Sequence, residues 1–464
     1  MTTTFDAIII GAGQAGPFLA GRLTKAGRKV AIIERNKFGG TCVNTGCIPT
    51  KSLIASAHAI HMARRGADFG FQIPGPVSVD MKKVKARKDQ ISGKSNTGVE
   101  SWLRSMENCT VFQGHACFES PKEVRIGSIV LSADSIFINV GGRANVPPFP
   151  GISEVDYFTN SSMMSVDYLP PHLVIVGGSY VGLEFAQMYR RFGSEVTIVE
   201  MAPRLIAKED EDVSAAIKEI LEAEGIAVRV GAKCIHFARK NGKVAVGVDC
   251  QDGAPEVIGT HVLLAVGRLP NTDDLGLDKA GVQKDQHGYI TVDDQLRTNV
   301  PGIWALGDCN GRGAFTHTSY NDFEIVAANL LDNDPRRVSD RITAYALYTD
   351  PPLGRVGMTK AEVQKSGRPA LVGERPMTRI GRAVEKGETQ GFMRILVDRD
   401  TKEILGASIL GVGGDEAIHS ILDLMYAKAS YTVMQRAVHI HPTVSELLPT
   451  ILGELQPAAE TIVT

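Results

Sequence analysis

One pattern is written twice in this chain, and it narrows the fold more than any other feature. The first copy is an apolar strand Ala7–Ile10, then Gly11-Ala-Gly13-Gln-Ala-Gly16, a helix to about Ala26, and a strand Lys29–Ile33 ending at Glu34. The second is a strand Leu173–Val176, then Gly177-Gly178-Ser179-Tyr-Val-Gly182, a helix to about Phe192, and a strand Glu195–Val199 ending at Glu200. In both copies 23 residues separate the first glycine from the terminal glutamate. This order suits a dinucleotide: the first glycine makes the turn, the second admits the phosphates, the third lets helix and strand pack, and the helix start supplies N–H groups and positive dipole. Glu34 and Glu200 stand where a carboxylate accepts hydrogen bonds from ribose hydroxyls. Ser179 departs from the pattern at the central glycine, and a side chain this small leaves the site usable. The repeat predicts an α/β chain with two Rossmann-like dinucleotide-binding domains.

With 464 residues and a formal net charge of −2, the chain reads as a soluble globular protein of two to four domains. The near-neutral balance gives no reason to expect nucleic acid. The one basic run, Lys82 to Lys88, reads as a solvated helix face. No secretory signal is visible at the N-terminus, and the apolar stretches fall far short of the roughly 18 residues a membrane span needs. A cytoplasmic location is therefore expected, where thiols stay free unless chemistry uses them.

Two dinucleotides on one chain suggest a hydride donor, NAD, and a flavin, FAD, that accepts from it. Against that background the segment GGTCVNTGCIPTK, Gly39 to Lys51, gains interest because it puts Cys42 and Cys47 five positions apart. A structural disulfide, half of a metal site and a redox pair all remain in play. Apolar spacing over Thr50–Arg65 predicts a helix, which places the cysteines at or just before a helix start, where a thiol's pKa falls. No second Cys pair or Cys/His cluster accompanies them, so zinc is disfavoured and no metal site is expected. A redox pair is the leading reading.

The cysteine segment resembles, almost letter for letter, the active-site box of the pyridine nucleotide-disulfide oxidoreductases. That group includes dihydrolipoamide dehydrogenase, glutathione reductase and mercuric reductase. The resemblance extends over essentially the whole chain. NVGGRANVPPFPGI (Asn139 to Ile152) resembles the crossing from flavin to nicotinamide domain, AVGRLPNT (Ala265 to Thr272) the return, and TNVPGIWALGD (Thr298 to Asp308) the second flavin motif. It implies an FAD domain at 1–147 and 271–341, an NAD(P)H domain at 148–270, and an α+β dimerisation domain at 342–464. It also implies that Asp308 binds the flavin ribityl chain and that Lys51, paired with Glu184, lies beside the flavin. Thr41, Gly141 and Gly267 are carried over as further cofactor-binding positions.

By the same resemblance Cys47 faces the flavin, Cys42 exchanges with substrate, and His441 with Glu446 forms the acid-base pair, reaching the cysteines of the other subunit of a homodimer. His439 lies nearby but lacks the following proline and the spaced glutamate. Short strands (Gly391–Val397, Ile404–Leu410) and helices (Asp415–Ala429, Val444–Gly453) are expected in this last domain. The leading reading is an NAD(P)H:disulfide oxidoreductase of the dihydrolipoamide dehydrogenase kind, with NADH preferred because of Glu200 although Arg204 follows closely. The main alternative is a mercuric-reductase-like reductase of metal ions or reactive oxidants. The chain shows neither the C-terminal cysteine pair nor the N-terminal CxxC domain common in mercuric reductases. A non-catalytic flavoprotein subunit of a larger complex is the third reading, and no long basic arm favours it.

Overall fold

The computed structural model describes residues 2–248 and 255–458. Ala7–Ile10 is a continuous apolar run, buried throughout, which suits the centre of a parallel sheet covered on both faces. It is the middle strand of five, in the order Ile303–Ala305, Ser135–Ile138, Ala7–Ile10, Val30–Glu34, Cys109–Gln113, all parallel. The second copy builds a matching parallel sheet: Phe158–Thr159, His261–Leu264, His172–Val176, Glu195–Val199, Ala227–Arg229. The first sheet draws strands from both sides of the second in sequence. Gly142–Ala144 and Arg268–Pro270, from the crossing and the return, pair as an antiparallel ribbon where the chain leaves and re-enters.

The C-terminal part is a six-stranded antiparallel sheet ordered Ala344–Leu347, Leu353–Gly357, Ile404–Leu410, Phe392–Asp398, Ala370–Pro376, Gln456–Pro457. Its helices are shorter than the apolar spacing suggests. Asp415–Ala429 resolves into helices Gly414–Ala417 and His419–Tyr426, and Val444–Gly453 into a 3-10 turn Ser445–Leu447 followed by Leu448–Gly453. Pro449 accounts for the second break, since it is tolerated only in the first turn of a new helix.

Two further expectations are corrected. The redox-box helix begins at Cys47 and runs to Arg64, with Pro49 in its first turn, while Cys42 lies in a separate short helix Gly40–Asn44. The basic run lies on the helix Met81–Ser105, but Lys88 is buried rather than solvated: its ammonium donates to the Met164 carbonyl at 2.6 Å and pairs with Asp89.

The helix Cys47–Arg64 packs against Tyr180–Phe192, the helix of the second nucleotide motif. Leu53, Phe185, Ile198, Leu353 and Leu410 belong to one buried cluster, so a single core joins both nucleotide sheets' neighbours to the antiparallel sheet. Far from the cysteines, the Asp350 carboxylate accepts from Arg191 at 2.5 Å and from His58 at 2.7 Å, tying all three parts together. Although burial opposes it, these partners hold the Asp350 carboxyl well below the usual range. No helix among the described residues is long and apolar enough to cross a membrane.

Candidate active site

Gly11 and Gly177 open the two nucleotide turns with φ of +104° and +116°, a region that disfavours any side chain. A methyl group on Gly16 would lie 2.4 Å from the Gly11 carbonyl oxygen, and one on Gly182 would lie 2.0 Å from that of Gly177. Ser179 stands where the first copy has Gly13; its backbone is extended (φ −113°, ψ −174°), so a side chain is admitted without strain. The terminal glutamates repeat the correspondence atom for atom. Glu34 accepts from Ala12 N–H at 2.9 Å and Asn36 N–H at 2.8 Å, and Glu200 from Gly178 N–H at 2.5 Å and Ala202 N–H at 2.7 Å.

A cavity of about 1060 Å³ extends from Glu34 past Gly11, Gly13, Thr41 and Gly141 to Cys42, Cys47, Lys51, Glu184 and Asp308. Its glycine-lined end is a cradle that side chains would fill. A methyl on Gly11 would meet the Asn139 carbonyl oxygen at 2.2 Å, and one on Gly40 the Gly13 Cα at 2.9 Å. With a carboxylate at one end and an ammonium at the other, these residues fit FAD. Gly16, Gly177, Gly178, Gly182, Glu200 and Gly267 lie outside this cavity's wall, whereas Tyr180 and Val181 of the second motif's helix form part of it.

At the reactive end Cys42 and Cys47 stand as thiols. Cys47 is the first residue of its helix, and its Sγ is 3.1 Å from the Thr316 hydroxyl. The hydrogen bond from Cys42 lowers the Cys47 thiol to about 6 despite burial, with Thr316 and the Lys51 charge assisting. Cys42 moves upward, through its hydrogen bond to Cys47, burial and the neighbouring negative charge. The two sulfurs are thus divided into a thiolate and a thiol. Lys51 donates to both Glu184 oxygens, at 2.9 and 2.7 Å, and lies 4.5 Å from the centre of the Tyr348 ring.

Burial raises the Asp308 carboxyl and Arg268 opposes this, its Nε lying 3.6 Å from the carboxylate. Arg268 also reaches Thr41 at 3.4 Å and the Gly142 carbonyl, so it ties the cysteine segment and Asp308 to the crossing strand. Thr316, Tyr348 and Arg268 were not found by sequence reasoning. Arg268 directly follows Gly267 in AVGRLPNT and was the one within reach of a motif.

His441 Nδ1 is 2.8 Å from Glu446 Oε2, whereas His439 Nδ1 is engaged by the Ser445 carbonyl at 2.7 Å. The His441 side chain is 79% exposed and lies outside the cavity wall. A smaller cleft of about 300 Å³ is walled in part by Val43 and Ile48, the residues that follow Cys42 and Cys47. Phe18, Val99, Gly98 and Trp102 are among its other walls, with no charged residue in its lining.

The family profile described as pyridine nucleotide-disulphide oxidoreductase matches residues 5–322, and that of its dimerisation domain matches residues 343–451. The chain is 34% identical over 452 residues to the pyridine nucleotide-disulfide oxidoreductase RclA of Escherichia coli K12, covering 96% of this chain and 98% of the relative. It is 32% identical over 446 residues to the dihydrolipoyl dehydrogenase of Thermus scotoductus, covering 96% and 95%. The solved Cu(II) complex of the HOCl-induced flavoprotein disulfide reductase RclA from Escherichia coli superposes with a TM-score of 0.89 at 33% identity, covering 98% of this chain and all of that one. The paired nucleotide folds, the cysteine box and the antiparallel domain thus belong together: this chain is a member of the pyridine nucleotide-disulphide oxidoreductase family, whose enzymes use FAD and NAD(P).

Proposed function

We propose that this enzyme moves electrons from NADH to a thiol/disulfide substrate through Cys42 and Cys47. The observation that carries this reading is the depressed Cys47 thiol, held by Cys42, Thr316 and Lys51 at the wall of the flavin-sized cavity. Bound FAD supplies two-electron chemistry, accepting from the nicotinamide and delivering to sulfur. Lys51, oriented by Glu184, places a positive charge at that end and stabilises negative charge that develops there. Cys47 is the thiolate that faces the flavin, and Cys42 is the sulfur that exchanges with substrate. His441, oriented by Glu446, serves as the acid-base group for Cys42 of the partner subunit in a homodimer, since it is exposed on its own chain.

NADH is the preferred donor. Glu200 is fixed by two backbone N–H groups, and a carboxylate there accepts from a ribose diol and repels a 2′-phosphate. Arg204 turns inward, donating to the Ala207 and Glu209 carbonyls at 3.2 and 3.4 Å, so it is engaged within its own loop. Comparing kcat/KM for NADH and NADPH tests this, and a clear NADPH preference overturns it.

A second reading, reduction of metal ions or reactive oxidants, is favoured by the structural likeness to an RclA solved with Cu(II). One panel separates the two: NADH consumption with lipoamide, glutathione disulfide, Cu(II) and Hg(II) side by side. Turnover dominated by a disulfide supports the first reading, and turnover confined to metal ions replaces it with the second.

A further inference from the structure

Arg355 is one of the largest side chains in the molecule to be fully buried, at 1% exposure, and it lies in the wall of the main cavity. Both of its terminal nitrogens, Nη1 and Nη2, lack a hydrogen-bond partner among the described residues. Its Nε is 3.9 Å from Glu209, an ion-pair distance too long for a hydrogen bond. Burying a guanidinium with most of its donors unused is costly, and such a group is retained where something else satisfies it.

The groups around it leave its donors unsatisfied. Glu209 is fully buried, and one of its oxygens is taken by the Tyr345 hydroxyl. Arg204 approaches the same residue through the Glu209 carbonyl, and its Nε is buried without a partner. The next carboxylate, Asp210, is committed elsewhere, to Arg394 and to the Lys360 and Ala361 N–H groups. The Glu209 carboxylate thus answers Arg355 through one long ion pair alone, its second oxygen making no hydrogen bond among the described residues, and both terminal nitrogens of Arg355 are left for a ligand anion.

The position of Arg355 says which anion would complete it. On the antiparallel sheet it is the cross-strand neighbour of Tyr345. The Tyr345 ring lies 5.6 Å from that of Tyr180, the first residue of the helix Tyr180–Phe192. Arg355 thus neighbours Tyr345, whose ring meets that of Tyr180 at the start of a 13-residue helix, where the second glycine motif presents free N–H groups to phosphates. Arg is suited to phosphate because its planar fork donates to two oxygens at once.

We propose that Arg355 is a binding residue for the diphosphate of the nicotinamide dinucleotide, contributed by the antiparallel domain to the site built by the second glycine motif. This rests on the proposal above that the second motif holds NADH. It extends that site to a residue far from the motif in sequence.

The test is equilibrium titration of the FAD-loaded enzyme with NADH, with ADP-ribose, which carries the diphosphate without nicotinamide, and with adenosine, which carries neither. Arg355→Met is expected to weaken NADH and ADP-ribose alike by roughly 10- to 100-fold, the value of a charge-assisted hydrogen bond. Adenosine binding should be unchanged, and the salt dependence of ADP-ribose binding should flatten. Arg355→Lys, which keeps the charge but loses the fork, is expected to fall between wild type and Arg355→Met. If Arg355→Met does not fold, Arg355→Lys decides: weaker ADP-ribose with unchanged adenosine supports the assignment. Unchanged ADP-ribose binding in a folded variant overturns it, as does an equal loss for adenosine, which signals general damage. Wild-type enzyme whose flavin NADH cannot reduce would instead sink the underlying reading and leave the ADP-ribose result to be judged separately.

Discussion

The Thr316 hydroxyl stands 3.1 Å from the Cys47 sulfur, and the two residues are 269 positions apart in sequence. A hydroxyl there stabilises the thiolate over the thiol, so removing it raises the thiol pKa. Thr316→Val should move the Cys47 titration up from about 6 by about one unit, the worth of one such hydrogen bond. In the two-electron-reduced enzyme the long-wavelength absorbance of a thiolate beside flavin should fade as pH falls through about 6 in wild type, and about a unit higher in the variant. An unshifted midpoint would mean that Thr316 only fills space.

Lys51→Met removes the charge that faces the cysteine end of the cavity and leaves Glu184, whose side chain is 7% exposed, with only the Tyr348 N–H among the described residues. Flavin reduction by NADH should slow by about 10²-fold, on the scale of a lost electrostatic contact at developing charge. Stopped-flow absorbance checks this. A normal rate would show that the Lys51–Glu184 pair is structural.

His441→Ala should cut turnover with the disulfide or dithiol substrate by about 10²- to 10⁴-fold, the usual worth of acid-base help. NADH-driven flavin reduction needs no proton at Cys42 and should stay near wild type. Glu446→Gln should show a weaker form of the same split, because it only orients the imidazole. Full substrate turnover in His441→Ala would remove thiol exchange from first place.

Gly98→Leu probes the uncharged cleft walled by Val43 and Ile48. Nothing lies within 4 Å of a Cβ added at Gly98, and it sits inside the helix Met81–Ser105, so leucine should stabilise the helix by about 1 kcal/mol while obstructing the cleft. The expected result is an equal or higher Tm, normal flavin reduction and at least about tenfold lower kcat/KM for lipoamide, comparable to losing a pocket contact. Unchanged kcat/KM would show that substrate reaches Cys42 by another route.

The parts of this enzyme that were legible in its sequence are those whose chemistry is local. A glycine turn, a strand and a carboxylate 23 residues on are all specified within one βαβ unit, and the apolar spacing over Thr50–Arg65 marks the body of the redox-box helix, though not its start at Cys47. Thr316, Tyr348 and Arg355 reach the cavity from distant segments, and no spacing in the chain announces which of them will meet Cys47, Lys51 or Glu209. Lys88 failed for the same reason: a lysine on a helix reads as solvated until another segment, here the one bearing Met164, packs over it. The helix expected over Val444–Gly453 is too long because apolar spacing continues across Pro449, which the backbone admits only in the first turn of a new helix.

His441 and Glu446 form a finished pair on an exposed segment of the chain, flanked by Val438 at 98% and Ile440 at 79% exposure, while the cysteines lie elsewhere on the same chain. In a dimer that exchanges these elements, two differently broken chains are not equally broken together. Refolding Cys42→Ser chains with His441→Ala chains would create mixed pairs in which one of the two centres has every part intact. Two preparations that are each nearly inert should therefore recover a substantial fraction of wild-type turnover on mixing, by complementation between subunits.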